Sequence, residues 1–158
     1  WEEFMVDKGV GLSSLKEPEK KKDENKDVDE REKFLKYKDR DDYFNKRSNP
    51  GAYYEVIIDD SHPLSVGVQS PFHVLKTDRT IFELNKSTQN IAYFTDKNIL
   101  GFSPKSVRES INKTAFFSDE TYRSGKVTMI NADPTYRMFQ MGSTKLLLNA
   151  VYFGMLRF

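Results

Sequence analysis

Short apolar runs separated by polar breaks fill the chain from Pro50 onward and predict a sheet. Each run is only four to seven residues long and is rich in β-branched and aromatic residues, which favour strands. The strand candidates are AYYEVII (52–58), PFHVLK (71–76), IFEL (81–84), NIAYF (90–94), KTAFF (113–117) and GKVTMI (125–130).

The last apolar segment, MGSTKLLLNAVYFGMLRF (141–158), has a different pattern and predicts a helix. Ser143 and Thr144 are candidate N-caps at its start. Apolar side chains then cover most of the helix surface, so we expect the helix to be buried on most sides. Strands followed by a packed terminal helix predict an α/β layered domain. The apolar positions are Leu146, Leu147, Leu148, Ala150, Val151, Phe153 and Met155.

A charged segment precedes this domain and divides the chain into three parts. Residues 16–47 hold 12 basic and 11 acidic side chains in mixed order, too few apolar groups to offset the entropy of ordering. We interpret 16–47 as a linker or solvated helix, helical near its end around Lys33 and Tyr37; a charged docking arm is the alternative. Residues 1–15 are then the end of an upstream element, and 48–158 form the domain.

Composition excludes several classes of function. The 158 residues carry 25 basic and 24 acidic side chains, a net charge of +1 that gives no field to attract nucleic acid. With no cysteine, the chain has no disulfide framework, thiol nucleophile or thiolate metal site. No apolar run approaches the roughly 20 residues of a membrane span, so no direct membrane insertion is expected. Because the chain opens at Trp1 without a leader pattern, we expect a piece of something larger.

An ordered series of motifs resembles a known family. PGAYYEVIIDDSHPLSVGV, QNIAYF, LGFSP and GKVTMINADPTYRMFQMGSTKLLLNAVYFG follow one another between residues 50 and 156. This series resembles the C-terminal domain that follows the peptidase domain in bacterial, Bacteroidetes-type zinc carboxypeptidase-like proteins. That domain is similar to class I glutamine amidotransferases. The resemblance implies a partial flavodoxin-like sheet, because only the latter part of the domain is present.

The resemblance also carries functional expectations. The zinc and its ligands would lie in the upstream peptidase domain, so no cofactor is expected in this chain. Amidotransferase chemistry needs a cysteine nucleophile, which is absent. The resemblance thus implies a non-catalytic accessory domain that packs on the peptidase domain or docks to a larger assembly in the bacterial periplasm or at the outer membrane. Its sheet would be completed by the upstream part of the same protein or by a complementary fragment.

The stretch DDSHPLSVG (59–67) is the first candidate site. Asp60 and His62 lie two residues apart at the end of a predicted strand, so their side chains could converge on a metal or a substrate. The favoured interpretation is a structural turn, stiffened by Pro63, in which the imidazole bonds to backbone. The other histidine, His73, lies among apolar residues and is interpreted as a half-buried strand residue.

The loop after GKVTMI is the second candidate site. Arg137 could bind a carboxylate in bidentate fashion beside Asp133 and Tyr136, at the end of a strand where open α/β sheets place ligands. The favoured interpretation is that Arg137 pairs with Asp133 or with backbone carbonyls. The alternative function is a hydrolase or ligand-binding domain that uses His62, Asp60 and Arg137. The GSTK helix start could bind phosphate, but plain capping is favoured.

Overall fold

The computed structural model describes residues 33–46, 48–86, 88–122, 124–138 and 140–156. Predictions for residues 1–15 and 16–32 lie outside the described residues. The described elements comprise three helices, five strands and two short 3₁₀ turns, at Pro63–Ser65 and Tyr136–Met138. The helices are α1 (Tyr37–Asn45), α2 (Lys105–Ile111) and α3 (Met141–Phe153); the strands are β1 (Ala52–Ile58), β2 (Phe72–Lys76), β3 (Gln89–Phe94), β4 (Ala115–Tyr122) and β5 (Gly125–Ile130).

The five strands form one sheet in the order β2-β1-β3-β4-β5, and every neighbouring pair is antiparallel. A short connection joins β4 to β5, which suits an antiparallel hairpin. The predicted mixed α/β architecture is therefore confirmed. A flavodoxin-like sheet is mostly parallel, and the described strand pairs do not identify one.

Strand predictions hold best where β-branched and aromatic residues are densest. The predicted bounds of β1 and β5 match those observed, and the predictions for β2 and β3 are each one residue off. The predicted strand at 81–84 is wrong. Glu83 forms only an isolated bridge with Thr114, and the Phe82 carbonyl accepts the amide of Ala115, so this segment touches the start of β4 without forming a ladder.

Aromatic side chains build the core on one face of the sheet. The ring of Phe94 packs edge-on against those of Tyr54 and Phe116, with centroids 6.2 and 5.3 Å apart. Val107 and Ile111 of α2 are fully buried against this layer. Helix α2 was not predicted, because most of its residues are polar and only these two anchor it.

Helix α3 corrects the prediction of a terminal helix buried on most sides. Only Ser143, Leu146 and Asn149 are buried, because this row of the helix lies against the 3₁₀ turn at Pro63–Ser65. No described element covers the opposite side. We call its exposed side chains the α3 apolar stripe: Met141, Leu148, Val151, Tyr152 and Met155, which are 77%, 45%, 67%, 72% and 93% exposed.

The start of α3 also differs from its prediction. The N-cap is Gln140, not Ser143 or Thr144. The Ser143 and Thr144 hydroxyls lie 3.0 and 2.8 Å from the carbonyl oxygen of Pro134, to which they donate. They therefore fasten the preceding loop to the helix and cap no backbone amide.

Helix α1 is the described part of the predicted charged segment. It has no buried residue. The apolar side chains of Phe34 and Tyr37, near the predicted helical end of that segment, are exposed.

Candidate functional site

The stretch 59–67 forms a turn closed by its own side chains. The Asp59 carboxylate accepts the amide of Ser61 at 3.0 Å and its hydroxyl at 2.6 Å. These two bonds hold the pKa of Asp59 below its usual value. The Ser65 hydroxyl lies 2.6 Å from the carbonyl oxygens of both Asp59 and His62. Asp59, Ser61 and Ser65, which made the stretch look like a functional site, thus form hydrogen bonds within the turn.

His62 uses both ring nitrogens in structural contacts. Nδ1 accepts the amide of Leu64 at 3.2 Å, so the proton of the neutral ring belongs on Nε2. Nε2 lies 3.0 Å from Oε1 of Gln89, which can accept that proton in a hydrogen bond. Asp60 is exposed, and the structure, which describes both residues, joins it to His62 by no hydrogen bond or ion pair. The described residues contain no cluster of three or more histidine, aspartate or glutamate side chains able to hold a metal.

Asn149 explains why this turn is rigid, and sequence reasoning missed it. From the buried row of α3, its amide donates to the carbonyls of Leu64 and Val66 at 2.9 and 2.8 Å. Leu64 is itself fully buried in the core. A single asparagine among apolar helix residues was the available signal, since a buried amide needs partners. The turn therefore forms the surface on which α3 packs.

The second candidate site, Asp133, Tyr136 and Arg137, lies in the loop after β5. The Asp133 carboxylate accepts the amide and hydroxyl of Thr135 at 2.9 and 3.0 Å. Arg137 forms no ion pair with Asp133, and its guanidinium lies 5.5 Å from the ring centroid of Tyr136. Arg137 and Met138 both adopt left-handed backbone conformations, with φ of 48° and 58°. Such conformations are sterically strained for residues with side chains.

No hydrogen bond or ion pair links the two predicted sites among the described residues. His62 is held by Leu64 and Gln89, whereas Asp133 is held by Thr135. No described hydrogen bond or ion pair joins His62 or Asp60 to Arg137. The structure therefore gives the predicted ligand residues no shared contact.

His73 belongs to a polar cluster on β1 and β2. It stands opposite Glu55 in the ladder, and its Nε2 lies 2.8 Å from the carbonyl oxygen of Asn98. The Glu55 carboxylate accepts the side-chain amide of Asn98 and the hydroxyl of Thr95. These bonds hold the pKa of Glu55 below its usual value, and the bond from Asn98 has the larger effect. A glutamate inside the apolar run AYYEVII was the sequence signal for this cluster.

Lys76, at the end of β2, is the least expected residue of the structure because its side chain is 0% exposed. Its ammonium lies 2.6 Å from Oδ1 of Asp78 and 3.1 Å from Oδ1 of Asn131. The ammonium also stands 5.7 Å from the ring centroid of Phe94. Burial lowers the pKa of Lys76, although Asp78 opposes the shift.

Two asparagines enclose this lysine. The Asn131 amide donates to the carbonyls of Thr80 and Ala115, both at 3.2 Å. The Asn49 amide donates to the carbonyls of Lys76 and Asp78 at 3.0 and 2.9 Å. The lysine thus lies at the centre of a network that joins β2 to the residues following β5. Because its side chain is fully buried, the contacts of its ammonium serve to join these parts of the fold.

An open groove of the described surface lies elsewhere. It encloses about 360 Å³ between the 81–84 segment and the end of α2, and it contains none of the predicted site residues. Its lining residues are Ile81, Glu83, Leu84, Ser110, Asn112, Lys113 and Thr114.

Comparison with known proteins gives no match: no protein-family model, no curated protein and no solved structure matches the chain. Among residues 33–156, apart from the four gaps, no helix has the length and apolar character needed to cross a membrane.

Proposed function

We propose that this chain is a non-catalytic accessory domain that docks onto another polypeptide through the α3 apolar stripe. The exposure of that stripe is the observation that carries the proposal. Met141, Leu148, Val151 and Tyr152 recur at spacings of three, four and seven residues, so they form one continuous side of the helix, and Met155 lies in the turn that follows it. A contiguous apolar surface of this kind is typical of a protein interaction site.

The gain from covering the stripe is large enough to drive association. Complete burial of one Val, Leu or Met side chain contributes about 1.5–3 kcal/mol. Burial of Val151, Tyr152 and Met155, which are all more than half exposed, would therefore contribute several kcal/mol before the cost of association. The rest of the surface scatters its exposed apolar residues among other elements, so the stripe is the best candidate interface.

The motif series supports a particular partner. Since the series resembles the domain that follows a zinc carboxypeptidase-like peptidase, the proposed partner is the peptidase domain of the same envelope protein, or a complementary fragment or larger assembly in its place. The proposed location is the periplasm or the outer membrane. In this scheme the zinc belongs to the peptidase domain. The domain described here packs against the peptidase domain and shapes the access of substrate to it.

The use of both His62 ring nitrogens in local hydrogen bonds favours this role over a hydrolase. General acid–base catalysis needs groups within hydrogen-bond reach of one substrate. His62 is tied to Leu64 and Gln89, and no described contact joins it to Asp60 or Arg137.

The test is binding of the purified chain to the zinc carboxypeptidase-like domain, measured by calorimetry. Val151→Lys places a charge in the stripe and is expected to weaken binding at least tenfold, because the ammonium would have to be desolvated. Phe102→Lys is the matched control, since Phe102 is also more than half exposed but lies outside α3. Equal affinities for the two variants, or peptidase activity of the chain alone that is lost in His62→Ala, would refute the proposal.

A further inference from the structure

Strand β5 forms an edge of the sheet, and its ladder fixes which backbone groups point outward. Six consecutive residues pair regularly with β4, from Gly125 opposite Tyr122 to Ile130 opposite Phe117. The amide of Asn131 donates to the carbonyl of Phe116 at 2.8 Å. In an antiparallel ladder, alternate residues bond to the same neighbour. Met129 therefore bonds to β4, whereas Thr128 and Ile130 direct their amides and carbonyls away from it.

These outward groups have no partner within the part of the chain that the structure describes. Neither Thr128 nor Ile130 forms a backbone hydrogen bond on that side. Unpaired edges recruit further strands, and proteins usually block them with proline, bulges or free charges. The β5 ladder has no bulge and no proline. Its one charged side chain, Lys126, has its ammonium 3.2 Å from Asp119 of the same chain.

We propose that two copies of this chain pair antiparallel through β5 to form one continuous ten-stranded sheet. The occupant is a second copy because the edge is self-complementary about Met129. When Thr128 of one copy faces Ile130 of the other, their amides and carbonyls form four hydrogen bonds across a two-fold axis. This arrangement goes beyond the docking role of α3 and uses a different surface.

Side chains agree with this register. The two Met129 residues meet at a non-hydrogen-bonded position, where opposite side chains approach most closely and apolar pairs are favourable. Ile130 already packs against the core, so pairing extends the apolar layer beyond β5. Lys126 of one copy comes opposite Ala132 of the other. The register thus brings no like charges together.

The first measurement is sedimentation equilibrium of the purified chain over a concentration series, together with hydrogen exchange of individual amides. We expect a reversible dimer, with exchange at Thr128 and Ile130 slowing as the concentration rises. Thr128→Pro removes one outward amide without removing a bond to β4. We expect it to weaken the dimer roughly tenfold or more, because two of the four bonds are lost. Thr128→Val is the matched control, since it loses the hydroxyl bond to Asp119 but keeps the amide.

Further outcomes separate this proposal from the docking role of α3. We expect Val151→Lys to leave the dimer unchanged. A wild-type chain that stays monomeric at the highest concentration overturns the proposal. So does a dimer that Val151→Lys disrupts and Thr128→Pro spares. If Thr128→Pro does not fold, the exchange measurement on the wild type still decides, because concentration-independent exchange at Thr128 and Ile130 contradicts pairing.

Discussion

Replacement of Lys76 tests whether the buried network holds the domain together. Lys76→Ala removes a side chain that is 0% exposed and leaves the carbonyl and amide oxygens of Asn131 without their donor. Truncating a buried long side chain to alanine costs about 2–5 kcal/mol, and a buried acceptor left without its donor costs about 1–3 kcal/mol. Because these two costs overlap, we expect Lys76→Ala to lower the free energy of unfolding by about 4 kcal/mol.

Lys76→Met separates the charge from the packing. Methionine keeps most of the volume of the lysine stem but removes the ammonium. Asp78 is 52% exposed and can be hydrated, so only the Asn131 oxygens lose a donor. Since removing a buried charge also removes its desolvation penalty, we expect Lys76→Met to lie within about 2 kcal/mol of the wild type.

Urea unfolding followed by circular dichroism measures these differences. For a domain of this size, about 4 kcal/mol corresponds to a fall in Tm of roughly 15 °C. Lys105→Ala is the control, because Lys105 is exposed and its contact with Glu109, at 3.7 Å, should contribute under about 0.5 kcal/mol. A loss of less than about 1 kcal/mol in Lys76→Ala, well below the cost of truncating a buried long side chain, would refute the role of the network.

The pH dependence offers a second test of the same residue. The pKa of Lys76 is lowered in the folded state, so the unfolded chain binds more protons between the folded pKa and the ordinary value of 10.5. Stability therefore rises with pH through that window, where the folded lysine loses its charge first. We expect the difference in stability between the wild type and Lys76→Met to change with pH there and to be constant below the window.

Two further predictions concern the other polar anchors. Asn149→Leu should lower the free energy of unfolding by about 2–4 kcal/mol in urea titrations, since the buried carbonyl of Leu64 and the partly buried carbonyl of Val66 lose their donor; an unchanged midpoint would contradict this. Glu55 has a lowered pKa, so its stabilising effect is present above the ordinary glutamate value of 4.5 and is lost as pH falls through the folded pKa. Glu55→Gln should therefore flatten the acid side of the stability profile, and a profile parallel to that of the wild type would refute this role.

Local composition predicts the strands well and the burial of single residues poorly. AYYEVII and GKVTMI are strands because their β-branched and aromatic residues fit a pleated, half-buried surface. The apolar residues of α3 predict a buried helix, but burial depends on an element that covers the helix, and helical periodicity carries no information about it. From the sequence alone, Lys76 would likewise be expected at a solvated strand end, because its partner Asn131 is 55 residues away.

The candidate site shows the same limit. The sequence correctly predicts that 59–67 is a turn whose imidazole bonds to backbone, because Pro63 and the clustered short polar side chains act locally. The interpretation that Arg137 pairs with Asp133 or with backbone carbonyls is wrong, since no such bond is present among the described residues. Oδ1 of Asp133 instead accepts the amide and hydroxyl of Thr135, two residues along.

The bonds from Asn149 to the turn also tie the turn to the docking of α3. The amide meets the carbonyl of Leu64 across 85 residues, so this contact closes one of the longest loops in the described chain. These bonds can form only when α3 lies against the turn. Leu64, whose carbonyl accepts from the helix, also donates its amide to the ring of His62. The histidine ring is thus a natural spectroscopic reporter of whether α3 is docked.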